Sequence, residues 1–240
     1  MAAQFNVQGT NARLLFHDLY SDPALISLWT LSEKSGTVYD RSKTNRLDGT
    51  VAGNPVYSSA LTNGFYGLNM DGTGDWAAIG DVTALDFERT NSWSILTVIR
   101  PNISAFAYII SKWANAGGWR YSLNASSQAH FQLFSPVDST NLEITSDTAL
   151  VNGTDYMLLV TYPGDSVAAS VAHYVNGVVT AETVVANTLA ANIDTANAVR
   201  IGAATTGANN FVGIISMTAV FTGAKTAADA KRWAKLGGFI

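Results

Sequence analysis

The sequence predicts an all-β protein, a sandwich or barrel of about a dozen strands with helix only near its two ends. Three observations carry that prediction. In "VAASVAHYVNGVVTAETVVA" two β-rich runs flank Asn176-Gly177, a dipeptide favoured in two-residue type I′ hairpins because both positions need positive φ. In "NSWSILTVIRP" and "DYMLLVTYP" apolar residues occupy both alternations of a strand, which places these strands mid-sheet with the outer face covered by another layer or a partner. Gly, Pro, Asn, Asp and Ser then punctuate the chain at short intervals, unlike the long crossovers of parallel βαβ units.

In chain order, Asn11 is a candidate cap for a short helix through "ARLLFHDLY", broken before Pro23. Strands follow at "ALISLWTL", "YGLNM", "DWAAIG", the two-sided "SWSILTVIRP", "AYIISKW", "WRYSLN", "AHFQLF", "LEITSD" and "DYMLLVTYP". In the Asn176-Gly177 hairpin, Val171, His173 and Val175 share one face, with Ala172 and Tyr174 on the other. "AVRIGAA" and "FVGIISMTAVF" complete the strands. "TAADAKRWAKLGG" is a helix capped by Thr226, with Asp229 three residues on and Gly237 as its stop. In "LNMDGTGDWAAIGD", Leu68 and Met70 point inward and Asp71-Gly72-Thr73-Gly74 makes a hairpin turn. No linker or repeat divides the chain: residues 1–20 form an arm dispensable for the core, and residues 21–240 one domain.

Of 240 residues, 48% are apolar and 13% charged, a globular composition. The net charge of -4 and the scattered Lys and Arg residues argue against nucleic acid as the main ligand. No cysteine is present, so neither disulfides nor a Cys-rich zinc site contributes. No eighteen-residue apolar run marks a membrane span. The N-terminus lacks the basic start and apolar run of a secretory signal. The reading adopted is a protein made and assembled inside a cell; the alternative is a mature chain whose signal has been removed.

Several segments, read in order, resemble one family. "LISLWTLSEKSGTVYDRSKTNRLDGT" is similar to the opening of laminin-G-like, concanavalin A-like jelly-roll domains, with Trp29, Glu33, Gly36, Asp40, Arg41, Ser42, Asp48, Gly49 and Thr50 at the motif positions. Met70, Asp71, Gly72, Asp75 and Trp76 resemble the next block, which reads Phe-Asp-Gly before Asp-aromatic. "SWSILTVIRP", "LVNGTDYMLLVTY", "HYVNGVV", "RIGA" and "FVGII" continue the series. The resemblance implies a jelly-roll β-sandwich of two antiparallel sheets. "LYSDPALISLWTLSE" further resembles the lead-in to such domains in bacteriophage structural proteins, where a short helix and a Pro precede the first aromatic strand.

Catalysis finds no support in the residues. Glucanases of this fold need paired Glu residues on one strand, an acid and a nucleophile roughly 5 Å apart. The four Glu here, Glu33, Glu88, Glu143 and Glu182, are far apart in sequence. No Gly-x-Ser-x-Gly elbow, zinc-spaced His pair or phosphate loop occurs, and His17, His130 and His173 stand outside any motif.

Relatives of this kind bind calcium through loop carboxylates, and the resemblance makes Asp48, Asp71 and Asp75 the metal candidates. The later strand reads "FVGIISM", with Val212, Ser216 and Met217 where relatives carry acids, which favours turn-forming Asp over calcium. For a sugar, "SKWANAGGWRYSLN" offers Trp113, Trp119, Arg120 and Tyr121 around a glycine-rich turn, and Trp76 stands on the face opposite Ala77 and Ile79. Two readings of Trp113 and Trp119 stay open, a ligand platform or core packing on adjacent strands.

The function expected is that of a non-catalytic bacteriophage virion protein, a head decoration or tail component assembled in the host cytoplasm. Its partners would be other virion proteins and further copies of itself. The alternative is a lectin or adhesion module for a cell-surface glycan.

Overall fold

The computed structural model describes residues 9–114 and 117–240. The first eight residues of the arm, and Asn115 and Ala116 of the glycine-rich turn, lie outside them.

Helix α1 (Thr10–Ser21) opens the described chain; its N-cap is Gly9 rather than Asn11, and no side chain caps it. At its end Asp22 Oδ1 accepts from the Ala24 N–H at 2.9 Å, turning the chain through Pro23 into β1 (Leu25–Trp29). Three short strands, β2 (Thr37–Val38), β3 (Gly49–Ala52) and β4 (Val56–Ala60), escape a period-two reading because they are brief and only partly buried. Then come β5 (Tyr66–Asp71), β6 (Trp76–Gly80), β7 (Trp93–Pro101), β8 (Ala107–Ala114), β9 (Gly117–Leu123), β10 (Gln128–Phe134) and β11 (Asn141–Ala149). After β12 (Tyr156–Tyr162), β13 (Ala172–Val175) and β14 (Val178–Val179) form the hairpin the sequence predicts. Asn176 and Gly177 have φ of 50° and 78°, as its turn type requires. The chain ends with β15 (Glu182–Asn187), β16 (Val199–Ile201), β17 (Val212–Thr222) and α2 (Ala227–Leu236). Thr226 and Asp229 cap α2 reciprocally, N–H to side chain in both directions.

The strands build two antiparallel sheets of eight and nine. The first runs β14-β13-β12-β7-β17-β5-β4, with β1 beside the second half of β17. The second runs β15-β11-β10-β9-β8-β16-β6-β3-β2. Both are all antiparallel, and the two-layer jelly-roll sandwich implied by the resemblance is what forms. Because β5 and β6 belong to different sheets, residues 71–75 are a crossover between layers and not the hairpin turn expected. Likewise the run after Gly177 divides at Thr180 and Ala181, sending β14 to the first sheet and β15 to the second.

Between the sheets lies an apolar core in which the Trp93 ring meets Trp119 at 5.2 Å, Phe131 at 5.3 Å and Phe87 at 4.4 Å between centroids. Leu68 and Met70 do point into it. A second core occupies the outer face of the eight-stranded sheet, where Leu96, Val98, Met157, Leu159 and Phe221 meet Leu15 and Leu19 of α1 and Trp233 of α2. Trp233 stacks on Phe221 at 5.1 Å. The second apolar alternation of β7 and β12 is therefore covered by the chain's own helices. The N-terminal segment is correspondingly part of the packing: Ala12, Leu15 and Leu19 are fully buried, which corrects the expectation of a dispensable arm.

Candidate functional site

With one sheet roofed by helices, the outer face of the nine-stranded sheet is the broad surface left for a ligand. The residues on it follow from strand alternation. On β9, Trp119, Tyr121 and Leu123 face the core, so Arg120 and Ser122 face out. Antiparallel register then carries the outward row across five strands: Arg200 on β16 opposite Ser111 on β8, Ser111 opposite Arg120, Arg120 opposite Gln132 on β10, and Gln132 opposite Glu143 on β11.

Aromatic rings surround the Arg120 guanidinium. Its central carbon lies 4.3 Å from the Trp113 ring centroid, 4.7 Å from Phe106 and 5.7 Å from Tyr108, within cation–π range. Nη1 donates to the Tyr108 hydroxyl at 3.0 Å, and Nε is buried with no acceptor among the described residues. Gly118, opposite Trp113, presents no side chain, and Trp113 spans the gap to Phe134 at 5.8 Å, edge to face. Arg200 repeats the motif: its guanidinium lies 4.5 Å from the Trp76 centroid, Nη1 donates to the Ala204 carbonyl at 3.2 Å, and its Nε too is buried without a partner among the described residues.

Beside them is a polar relay. Glu143 Oε1 accepts from His130 Nε2 at 2.7 Å and Oε2 from Gln132 Nε2 at 3.1 Å, while Ser122 Oγ stands 3.0 Å from His130 Nδ1. A carboxylate can only accept, so the neutral imidazole carries its proton on Nε2 and Nδ1 accepts from Ser122. Burial pushes the His130 pKa down, and Arg120 adds to this against the pull of Glu143. The hydrogen bond from His130 holds the Glu143 carboxyl below its usual range despite partial burial. Gln132 Oε1 is left buried with no donor among the described residues. At one end of this face Phe106 also lines a cleft of about 240 Å³ with Ser104, Gly72, Asn209 and Asn210.

A sequence profile of the concanavalin A-like lectin/glucanases superfamily matches residues 71–231, a span that contains the site just described. The chain belongs to that superfamily. Among solved structures, this member resembles the binding domain of Paraclostridial Mosquitocidal Protein 1, at 11% identity and a TM-score of 0.68, over 88% of this chain and 52% of the other. Domain 4 of AbnA, a GH43 extracellular arabinanase from Geobacillus stearothermophilus solved with arabinotriose, aligns at 15% identity and TM-score 0.57, over 88% and 98%. Trypanosoma rangeli sialidase in complex with sialic acid aligns at 13% identity and TM-score 0.60, over 96% and 38%. The chain thus spans about half the length of the toxin binding domain it matches. At these identities the likeness is one of fold. No curated protein sequence matches the chain significantly.

Within this superfamily member, the sugar candidates divide by strand parity. Trp76, Trp113 and Arg120 lie on the outer face, partly exposed. Trp119 and Tyr121 do not: they are 1% and 0% exposed, Trp119 donating to the Leu85 carbonyl at 3.1 Å and Tyr121 stacked on buried His173. This corrects their candidacy as ligand residues. Trp113 pairs with Gly118 and Trp119 with Lys112, so the two tryptophans point to opposite sides of the sheet. Arg200, Phe106, Gln132 and the His130–Glu143 pair belong to the site without being marked by any sequence motif. Alternation on "AVRIGAA" and "AHFQLF" was the available signal, and it needed the strand order to become a site.

The metal candidates are not gathered. Asp75 is fully buried and spends one oxygen on the Asn54 N–H at 2.7 Å and the other on the Asp71 N–H at 3.1 Å. Asp71 accepts from the Thr73 N–H at 2.7 Å. Asp48 accepts from the Asp40 N–H at 2.9 Å and lines a separate cleft of about 370 Å³ with Tyr39, Arg41 and Arg46. Among the described residues no three acidic or His side chains cluster as metal ligands. The opening motif is likewise fold chemistry: Asp40 accepts from the N–H groups of Leu28, Ser42 and Leu47, and Glu33 pairs with Arg41 at 2.9 Å. For glycoside cleavage, the two Glu of the β11–β15 ladder diverge. Glu143 stands on the outer face, whereas Glu182 binds buried His173 between the sheets at 2.8 Å.

Proposed function

We propose that the chain is a non-catalytic carbohydrate-binding module that holds a glycan across the outer face of its nine-stranded sheet. The observation that carries this reading is the asymmetry of the two outer faces. One is filled by α1 and α2. The other leaves Trp76, Trp113 and Phe134 partly exposed beside Arg120, Gln132 and Glu143. Rings to stack on, with donors and acceptors at their edges, are what recognition of a sugar requires. The arabinotriose bound to the AbnA domain supports the same reading. The test is a glycan array followed by titration calorimetry of each hit against the parent and Trp113→Ala. Binding that falls at least tenfold in the variant is expected; a hit unaffected by Trp113→Ala places the site elsewhere, and a blank array overturns the reading.

The second reading sets this module in a bacteriophage virion, as a head decoration or tail component assembled in the host cytoplasm, in contact with other virion proteins and its own copies. The order helix, Pro23, aromatic strand β1 at the start of the domain supports it, as does the lack of cysteine. The two-sided apolar strands no longer do, since the chain's own helices cover them. Mass spectrometry of purified particles and light scattering of the isolated chain test it. Absence from particles together with a monomer in solution would remove it.

A further inference from the structure

Resting on the carbohydrate-binding reading, we infer that the ligand is an acidic saccharide, its carboxylate or sulfate group read by Arg120 with Arg200 as a second cationic contact.

The aromatic faces are already in use. A neutral sugar needs bare ring surface. Here the guanidinium of Arg120 already lies against Trp113 and Phe106, and that of Arg200 against Trp76. What these rings present on that side is a planar cation. Each guanidinium has one neutral hydrogen bond, to the Tyr108 hydroxyl or the Ala204 carbonyl. Among the described residues neither has a carboxylate within ion-pair distance. The nearby acid, Glu143, is engaged by His130, Gln132 and Asn141. A fork of donors fixed by stacking and in no direct ion pair among the described residues is suited to bidentate recognition of a carboxylate or sulfate.

Geometry joins the two arginines into one site. Both flank Ser111 in a single register row, so their Cα atoms stand two strand spacings apart, about 10 Å. Ser111 is buried, and its hydroxyl is spent on the Ala203 carbonyl at 2.9 Å, leaving a low step between two cations. The charge balance of the row is two arginines against Glu143, with His130 neutral. An otherwise acidic chain, at net -4, therefore carries a net positive row on this face, Arg120 being only partly balanced by the charge of Glu143.

Carboxylated and sulfated sugars share this chemistry, and matched probes separate them. The experiment titrates the full chain with sialyllactose against lactose, tetragalacturonate against tetragalactose, and a sulfated against an unsulfated galactose oligomer. The acidic member of at least one pair is expected to bind ten or more times more tightly, and to weaken as NaCl rises from about 50 to 300 mM through screening. Arg120→Gln should remove the preference for the acidic member, Arg200→Gln should lower it severalfold, and Arg120→Lys should recover only part of it. If both members of every pair bind equally and Trp113→Ala abolishes both, the acidic specificity is wrong while the carbohydrate reading stands. If no probe of either charge binds, and the array is blank, the carbohydrate reading itself falls. A merely packing role for Arg120 would lower stability without changing the acidic-to-neutral ratio, and that outcome also overturns the inference.

Discussion

The indole N–H of Trp233, on the C-terminal helix, donates to Oδ2 of Asp18, on the N-terminal helix, at 2.8 Å and across 215 positions of sequence. The bond joins the two helices that roof the eight-stranded sheet, with Arg232 adding a second contact to Asp18 at 3.1 Å. Leu15, beside them, is fully buried. Leu15→Ala should cost about 3 kcal/mol, read by urea denaturation. Deleting residues 1–21 should expose Leu96, Val98 and Met157 and give a species that self-associates in light scattering. A truncated chain as stable and monomeric as the parent would show that the helix is ornamental.

Strand parity separates the two tryptophans of β8 and β9. Trp119→Ala opens a hole against Trp93 and Phe87 and should lower stability by about 4 kcal/mol. Trp113→Ala, on a part-exposed outer position, should cost far less while abolishing saccharide binding. Thermal melts of both variants, run beside calorimetry, check the contrast; equal destabilisation would contradict the parity.

Acid should weaken the fold through the His130–Glu143 pair. Both folded pKa values lie below the unfolded ones, 6.5 for His130 and 4.5 for Glu143, so the unfolded chain takes up protons first as pH falls. Their contribution is full above pH 6.5 and is lost as pH drops through the depressed folded values. His130→Gln should flatten the slope of stability between pH 6.5 and 4, measured by denaturant midpoints. An unchanged slope would exclude this pair as the source.

Alkali should act through Lys112, which is 1% exposed and held by Asp86, by Asp81 at 2.9 Å and by Asp194 at 3.4 Å. Burial alone would lower its pKa, but the hydrogen bonds and charges of Asp86 and Asp81 outweigh it and raise the value above the ordinary 10.5. Stability from this group is thus complete below pH 10.5 and fades as pH climbs through the folded value. Lys112→Met should cost about 2 kcal/mol at neutral pH, less than for a fully buried pair, because the three carboxylates keep water contact. The variant should also lack the alkaline decline expected of the parent.

Much of the fold was legible because its signals are local. Asn176-Gly177, the Thr226–Asp229 cap and the alternation of β7, β9, β12 and β17 each fix backbone conformation within a few residues. The crossover at Asp71–Asp75 was not, because an Asp-Gly turn looks the same whether the next strand pairs with its predecessor or leaves for the other sheet; the deciding bond, Asp75 to Asn54, is non-local. The site was half legible for the same reason. Alternation places Trp76 and Arg120 on outer faces, but only the pairing of β16 with β8 brings Arg200 into the row of Arg120, and that of β16 with β6 brings it beside Trp76.

Calcium should leave the melting temperature unchanged within about 1 °C, with EDTA equally without effect, because the Asp75 oxygens are engaged by backbone N–H groups. A rise of several degrees with millimolar calcium would show that these loops reorganise around the ion. Asp75→Ala, in contrast, should destabilise with or without calcium, by about 2 kcal/mol for the N–H groups it strands.

Helix α1 begins where α2 ends. Asn63 Nδ2 donates to the Gly238 carbonyl at 2.9 Å, and Gly9 lies so close to neighbouring Gly64 that an added Cβ would stand 2.7 Å from its Cα. Entry into α1 and exit from α2 thus share the tip of the β4–β5 turn, on the side of the sandwich away from the arginine row. Cut to residues 9–238, a domain closed in this way can be spliced into a surface loop of a host protein without stretching it, its new ends taking the place of two adjacent loop residues. It could equally be opened elsewhere, for instance at the exposed Val137, with the old ends joined by a few glycines. Coupled to a sensor chip at residue 9 or 238, it would present the arginine row to the solution.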